Sequence, residues 1–157
     1  MKVVVAQPNK QYCNDLLLAL QQKGYLTQFY TLLAANKIGD WSKKLPTKFQ
    51  NELKKRTYPG IDADLITHFP TLLLYHKFLT KDMVHRIQTS YKRYDLAVTN
   101  NISHKDYDIV IAYENSNLHT FRQAKKQGKT TVLDLAQVHH DKIAQINEWV
   151  TLEKGVD

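Results

Sequence analysis

The chain has 157 residues, 43% of them apolar, and 22 Lys and Arg against 15 Asp and Glu give it a formal net charge of +7. That length suits one α/β domain with a proper core, and no run approaches the roughly 18 apolar residues that a membrane-spanning helix needs. The single cysteine, Cys13, excludes an internal disulfide, and with no visible secretory leader a cytosolic setting is favoured. The positive charge permits contact with nucleic acid, anionic lipid or phosphorylated substrates and selects none of them.

Val3 to Ala6 is predicted as the first strand, and Gln7-Pro8-Asn9-Lys10 as the loop after it, because Pro8 stops an interior strand from continuing. Cys13, Leu16, Leu17 and Leu20 fall at i, i+3, i+4 and i+7, the spacing of an amphipathic helix with Cys13 on its buried face. Gly24 ends that helix. Leu26 to Thr31 alternates and is rich in aromatics, as a second strand would be. Leu45, Phe49 and Leu53 share one face of a further helix, which Pro59-Gly60 ends. Around it, over residues 36–58, Lys37, Lys43, Lys44, Lys48, Lys54, Lys55 and Arg56 are opposed only by Asp40 and Glu52. Such a run is ordinarily a solvated face; Trp41 and Phe49 within it also suit an interfacial role.

Asp64 to Thr67 reads as a third strand. Pro70 sits where a helix could begin, with Leu72, Leu73 and Leu74 as packing residues. Thr80 is placed to cap a longer helix with an apolar and aromatic stripe of Met83, Val84, Ile87, Tyr91 and Tyr94. Those tyrosines read as core and rim residues rather than as a platform for stacking bases. Asn100 to Lys105 reads as polar linker.

The most legible stretch runs from Asp108 to His140. Asp108 to Tyr113 has Ile109, Val110 and Ile111 in succession, and a run apolar on both faces predicts a buried parallel strand. Glu114-Asn115-Ser116-Asn117 supplies turn and capping residues. Leu118, Phe121 and Ala124 follow at helical spacing, and Gly128 stops the helix. Thr131 to Ala136 is the next strand, ending near the pair His139-His140. Ile143, Ile146 and Val150 mark a last amphipathic helix. The whole predicts a Rossmann-like α/β fold in one domain: three layers, α/β/α, around a mostly parallel sheet of about five strands in the order 3-2-1-4-5. In that order strands one and four are neighbours at the point where the chain reverses direction. A ligand crevice then lies between the loop after Ala6 and the loop after Tyr113, bringing Asn9 and Lys10 near Glu114 and Asn115.

Several chemistries lack their residues. No GxGxxG follows strand one and no GxxxxGK[ST] is present, so a dinucleotide or P-loop site is not expected. With no CxxC and no HExxH, and with His139 and His140 adjacent and pointing apart, neither a metal nor another cofactor is expected. No GxSxG elbow supports a hydrolase, and residues 7–10 hold no acid of the kind a response regulator needs. Glu114 stands at a strand's carboxyl end just before a helix, as a site residue or as a cap on that helix's free amides. A neutral histidine at the start of the last helix could accept a proton or bind a hydroxyl; it could equally be a surface or capping residue. Asp134, inside an apolar strand, needs a partner.

The run YENSNLHTFRQAKKQGKTTVLDLAQVHH resembles part of the amino-terminal domain of family 4 glycosyltransferases: an acid-containing turn, a helix with TFR-AK--GK, then T-LDL and a histidine. The opening VVVAQPNKQYCNDLLLALQQKGY is similar to that family's first strand and helix. The resemblance is weak between 32 and 100. It implies the acceptor-side half of a two-domain enzyme of GT-B type, with the carboxy-terminal, donor-binding domain absent: an excised piece or one part of a split enzyme. It implies that His139 or His140 faces the transferred sugar and that Glu114 and Asn115 face the cleft. Residues 7–10 depart from the family's glycine-containing first loop, which puts donor contacts there in doubt; Asn9 and Lys10 could contact a phosphate or sugar hydroxyls instead.

The function expected on this resemblance is transfer of a hexose from a nucleotide-sugar donor to a glycan or lipid-linked saccharide acceptor. An inverting route needs a base on the acceptor hydroxyl, whereas a retaining route uses the histidine to bind and orient the sugar; the family leans to retention. The basic 36–58 segment, with Lys77, Lys81, Arg86, Lys92 and Arg93, would suit peripheral docking on an anionic membrane. The alternatives are a non-catalytic basic domain for nucleic acid, for which no aromatic-plus-basic RNA motif is present, and a split-enzyme partner that kept the fold without catalysis. The sugar transfer is expected to be absent from this half alone.

Overall fold

The computed structural model describes residues 1–10, 12–39, 46–72, 83–135, 141–146 and 148. Five strands form one parallel sheet: β1 (Val3–Ala6), β2 (Leu26–Thr31), β3 (Ile66–His68), β4 (Ile109–Tyr113) and β5 (Thr130–Asp134), in the order β3-β2-β1-β4-β5. Helices α1 (Cys13–Gln22), α2 (Thr47–Lys54), α3 (Met83–Ile102) and α4 (Leu118–Lys126) lie along the connections. The fold is therefore Rossmann-like, with the strand order that the sequence predicts. β1 pairs with β2 on one side, Val5 opposite Phe29, and with β4 on the other, Val5 opposite Ile111. β1 is buried along its whole length, as its unbroken Val-Val-Val-Ala run requires.

Alternation along the strands divides the core in two. Val3, Val5, Phe29 and Tyr113 face one side, where they meet Cys13 and Leu17 of α1 and Tyr58 and Ile61. Val4, Ala6, Tyr30, Val110 and Ala112 face the other, against Tyr94, Val98 and Ile102 of α3 and Ala124 of α4. Each layer is also pinned by polar contacts. The Tyr94 hydroxyl donates to the Tyr30 carbonyl at 2.9 Å. Asn36 donates to the Tyr58 carbonyl and accepts from the Tyr58 amide, both at 2.9 Å, which seats the Tyr58 ring edge-on to Phe29.

Three boundaries differ from the sequence reading. β3 begins at Ile66 rather than Asp64, because Asp62 caps a single 3₁₀ turn, Ala63–Leu65, by accepting from the Asp64 amide. The expected linker 100–105 is helical through Ile102, whose side chain is fully buried under β4 and anchors the last turn of α3. Strand five stops at Asp134. Phe49 of α2, in the run read as a solvated or interfacial face, is 53% exposed. Leu45, Leu73, Leu74, Thr80 and the pair His139-His140 lie outside the described residues.

Candidate functional site

At the carboxyl ends of β1 and β4, on the α3 side of the sheet, is a cleft of about 730 Å³ lined by Ile87, Gln88, Tyr91, Lys92, Asp95 and the turn from Asn115 into α4. That volume is in the usual range for a small-molecule site. One wall is the amino-terminal half of α3, and the other is the first turn of α4.

The walls are held together by Asp95. It lies one helical turn after Tyr91, on the stripe that also carries Tyr94 and Val98, so the helix carries it into the interior, where it is 3% exposed. Its carboxylate accepts from the His119 amide at 2.7 Å, the Thr120 amide at 2.9 Å and the Thr120 hydroxyl at 2.7 Å. These are first-turn amides of α4, which need an external partner. The cap thus comes from a residue more than twenty positions away, where the sequence reading offered Glu114. Asn117 stands at the N-cap position but makes no cap bond; its side-chain amide donates to the Tyr113 carbonyl at 2.7 Å. An anion-binding helix start is in this way already filled by the protein's own carboxylate.

Of the residues singled out in the sequence, Asn115 lines the cleft. It is exposed and has a left-handed backbone, φ 71°, which an Asn adopts more readily than most residues. Asn9 reaches the same place: its side-chain amide donates to the Tyr91 hydroxyl at 3.0 Å. Glu114, half-buried, precedes Asn115 in the turn. Lys10 is turned elsewhere. Its ammonium donates to the Thr57 carbonyl and lies 5.8 Å from the centre of the Tyr58 ring.

A second cluster stands on the opposite face at the same sheet end. Tyr113 is buried and its ring meets Tyr12 edge-on, with centroids 5.5 Å apart. Its hydroxyl faces Asp134 without closing a hydrogen bond of normal geometry, and burial, with the nearby acid, pushes its pKa far up. Asp134 therefore ends β5 beside a phenol that stays protonated. Burial also raises the Tyr12 pKa, with Asp134 and Glu114 adding to the shift.

Sequence reasoning missed Asp95, Gln88, Asn117 and His119 as parts of the site. One signal was available: an acid four residues after Tyr91 on an otherwise apolar helical stripe has to find partners. Among the described residues no group of three or more His, Cys, Asp or Glu side chains could hold a metal ion, and no helix is long and apolar enough to cross a membrane.

No family model matches the chain, and no curated protein is significantly similar to it. Among solved structures, the carboxy-terminal domain of a hydrogenase from Pyrococcus furiosus is similar at 14% identity and a TM-score of 0.50, over 85% of this chain and 91% of that one. At that identity the similarity is one of fold.

Proposed function

We propose that the chain is the acceptor-side domain of a glycosyltransferase, binding a glycan or lipid-linked saccharide to which a hexose passes from a nucleotide-sugar donor. The observation that supports this reading best is where the cleft lies. It opens at the carboxyl ends of β1 and β4, with Asn115 on it, in the turn that the resemblance to family 4 glycosyltransferases points towards the cleft, and with Asn9 bonded to the lining residue Tyr91. Its lining suits a sugar. Asn115 and Gln88 offer both donors and acceptors to hydroxyls, Asn117 offers its Oδ1, and Ile87, Tyr91 and Leu118 offer apolar surface to the C–H faces of a ring. His139 and His140 are proposed to face the transferred sugar, with Glu114 at the edge of the turn. The donor is assigned mainly to a second domain outside these 157 residues, since the start of α4, a natural seat for phosphate, holds Asp95. This chain alone then binds acceptor without turnover.

Saturation-transfer NMR with a panel of disaccharides, against UDP-glucose and GDP-mannose, tests the reading. At least one disaccharide should receive saturation, and Asn115→Ala should weaken it, while the nucleotide-sugars receive little. Strong saturation of a nucleotide-sugar with none of any saccharide would overturn it.

A second surface has its own observation. α2 has no buried residue and presents Phe49 beside Lys48, with Lys54 and Arg56 close by. We propose that this face docks peripherally on an anionic membrane, where lipid-linked acceptors lie.

A further inference from the structure

We infer that the cleft between α3 and α4 takes a neutral amphiphile: an acceptor whose hydroxylated end is joined to an apolar group. This inference rests on the acceptor-side reading and narrows its substrate class. The first observation is that two apolar stripes leave the core and continue into the cleft. On α3 the stripe is buried at Val98 and Tyr94 and half-buried at Tyr91, then reaches Ile87, 42% exposed. On α4 it is buried at Ala124 and half-buried at Phe121, then reaches Leu118, 55% exposed. Ile87 and Leu118 line the same cleft, one on each wall. A lone exposed leucine needs no explanation; two large aliphatic side chains facing one concave space form an apolar seat.

The second observation concerns charge. The strongest anion site in the cleft, the first turn of α4, is closed by Asp95, which accepts from two of its amides. Among the described lining residues Lys92 is the one fixed cation, and Asp95 balances it in formal charge. A phosphate-rich ligand would find little there to replace its water. Neutral hydroxyls would find Asn115, Gln88 and the Oδ1 of Asn117, whose Nδ2 is engaged with the Tyr113 carbonyl. Asn9, by donating to the Tyr91 hydroxyl at 3.0 Å, ties the loop after β1 to the aromatic between the polar and apolar parts.

The test compares n-octyl with methyl glycosides of glucose, galactose and mannose, below the micelle concentration, by chemical-shift titration of the chain. The octyl form of a bound sugar should bind at least about tenfold more tightly than its methyl form, since burying about two of its methylenes already gives that factor. The Ile87→Gln and Leu118→Gln variants should bring that ratio towards one. Both positions are exposed, so the variants should keep the wild-type spectrum elsewhere. Equal affinity for octyl and methyl glycosides overturns this inference and leaves the acceptor reading standing. An octyl ether of tetraethylene glycol binding as well as the octyl glycoside overturns the requirement for a sugar-like end. Binding of no glycoside of either kind removes the acceptor reading and this inference together.

Discussion

The residue on which the cleft depends most is Asp95. Its two oxygens satisfy two amides and a hydroxyl of another helix inside the protein, so its loss leaves buried donors without acceptors. Asp95→Ala should cost about 2–4 kcal/mol in urea unfolding, with Asp95→Asn intermediate because one carbonyl oxygen remains. Gly60 is a second sensitive position. Its φ of +75° belongs to glycine, and an added Cβ would stand 2.8 Å from Leu18 Cδ2. Leu18 can turn aside, so Gly60→Ala should cost about 1 kcal/mol, set by the backbone.

Two kinds of titrating side chain shape stability against pH. His68 is half-buried, and its Nδ1 accepts from the Ala34 amide at 3.3 Å; burial above all, with Lys37 nearby, holds its pKa below the ordinary 6.5. The unfolded chain therefore takes up this proton first, and stability should fall as pH drops through 6.5. The melting temperature of His68→Asn should fall less steeply than that of the wild type over that range. Tyr30 and Tyr58 act at the other end. Burial pushes both from 10.0 to about 12. Between those values only the unfolded chain loses these protons, so stability should fall as pH rises. Absorbance titration of tyrosinate should show both groups ionising later than exposed tyrosines.

At the scale of elements, interior and edge differ. Leu17 of α1 is fully buried under β1, and Leu17→Ala should cost about 2–5 kcal/mol. Val132 of β5 is 41% exposed, and Val132→Thr should stay within about 0.5 kcal/mol. Equal losses at the two positions in urea unfolding would mean that the edge strand is covered in solution. This contrast also marks what the sequence could show. β1, β2 and β4 were legible because a run such as Val3-Val-Val-Ala6 has one physical home, between two layers. The strand order already put β5 at an edge, and only its length was over-read, since the apolar run to Ala136 outlasts the strand, which ends at Asp134. The end of α3 was misread because Asn100 and Asn101 look like loop, while Ile102 is held by tertiary burial that overrides propensity.

The candidate site was legible only in part. Strand order alone brings the loops after β1 and β4 together, and with them Asn9 and Asn115. What it could not show is which side chains point inward. Lys10 is drawn away to the Thr57 carbonyl, a contact made by a segment whose path no local pattern predicts. Glu114 yields the cap of α4 to Asp95, because the long α3 passes close enough to deliver a buried acid.

For the whole molecule, the parallel sheet gathers the loops after β1 and β4 at one end, and the charge of +7 favours anionic partners without choosing among them. If α2 docks on lipid, the chain should co-sediment with vesicles containing phosphatidylglycerol, lose binding as salt rises, and lose most of it in Phe49→Ser with Lys48→Glu. Equal binding to neutral phosphatidylcholine vesicles, or none to either, would remove electrostatic docking. The sheet end makes the more central demand. The most direct check is an amide chemical-shift map of the chain titrated with the tightest-binding disaccharide. The account predicts shifts concentrated at Asn9, Tyr91, Asn115 and Leu118, with the far ends of the strands, at Lys2 and Asp108, unmoved. Shifts centred on Lys2 and Asp108, or spread evenly over the surface, would contradict it.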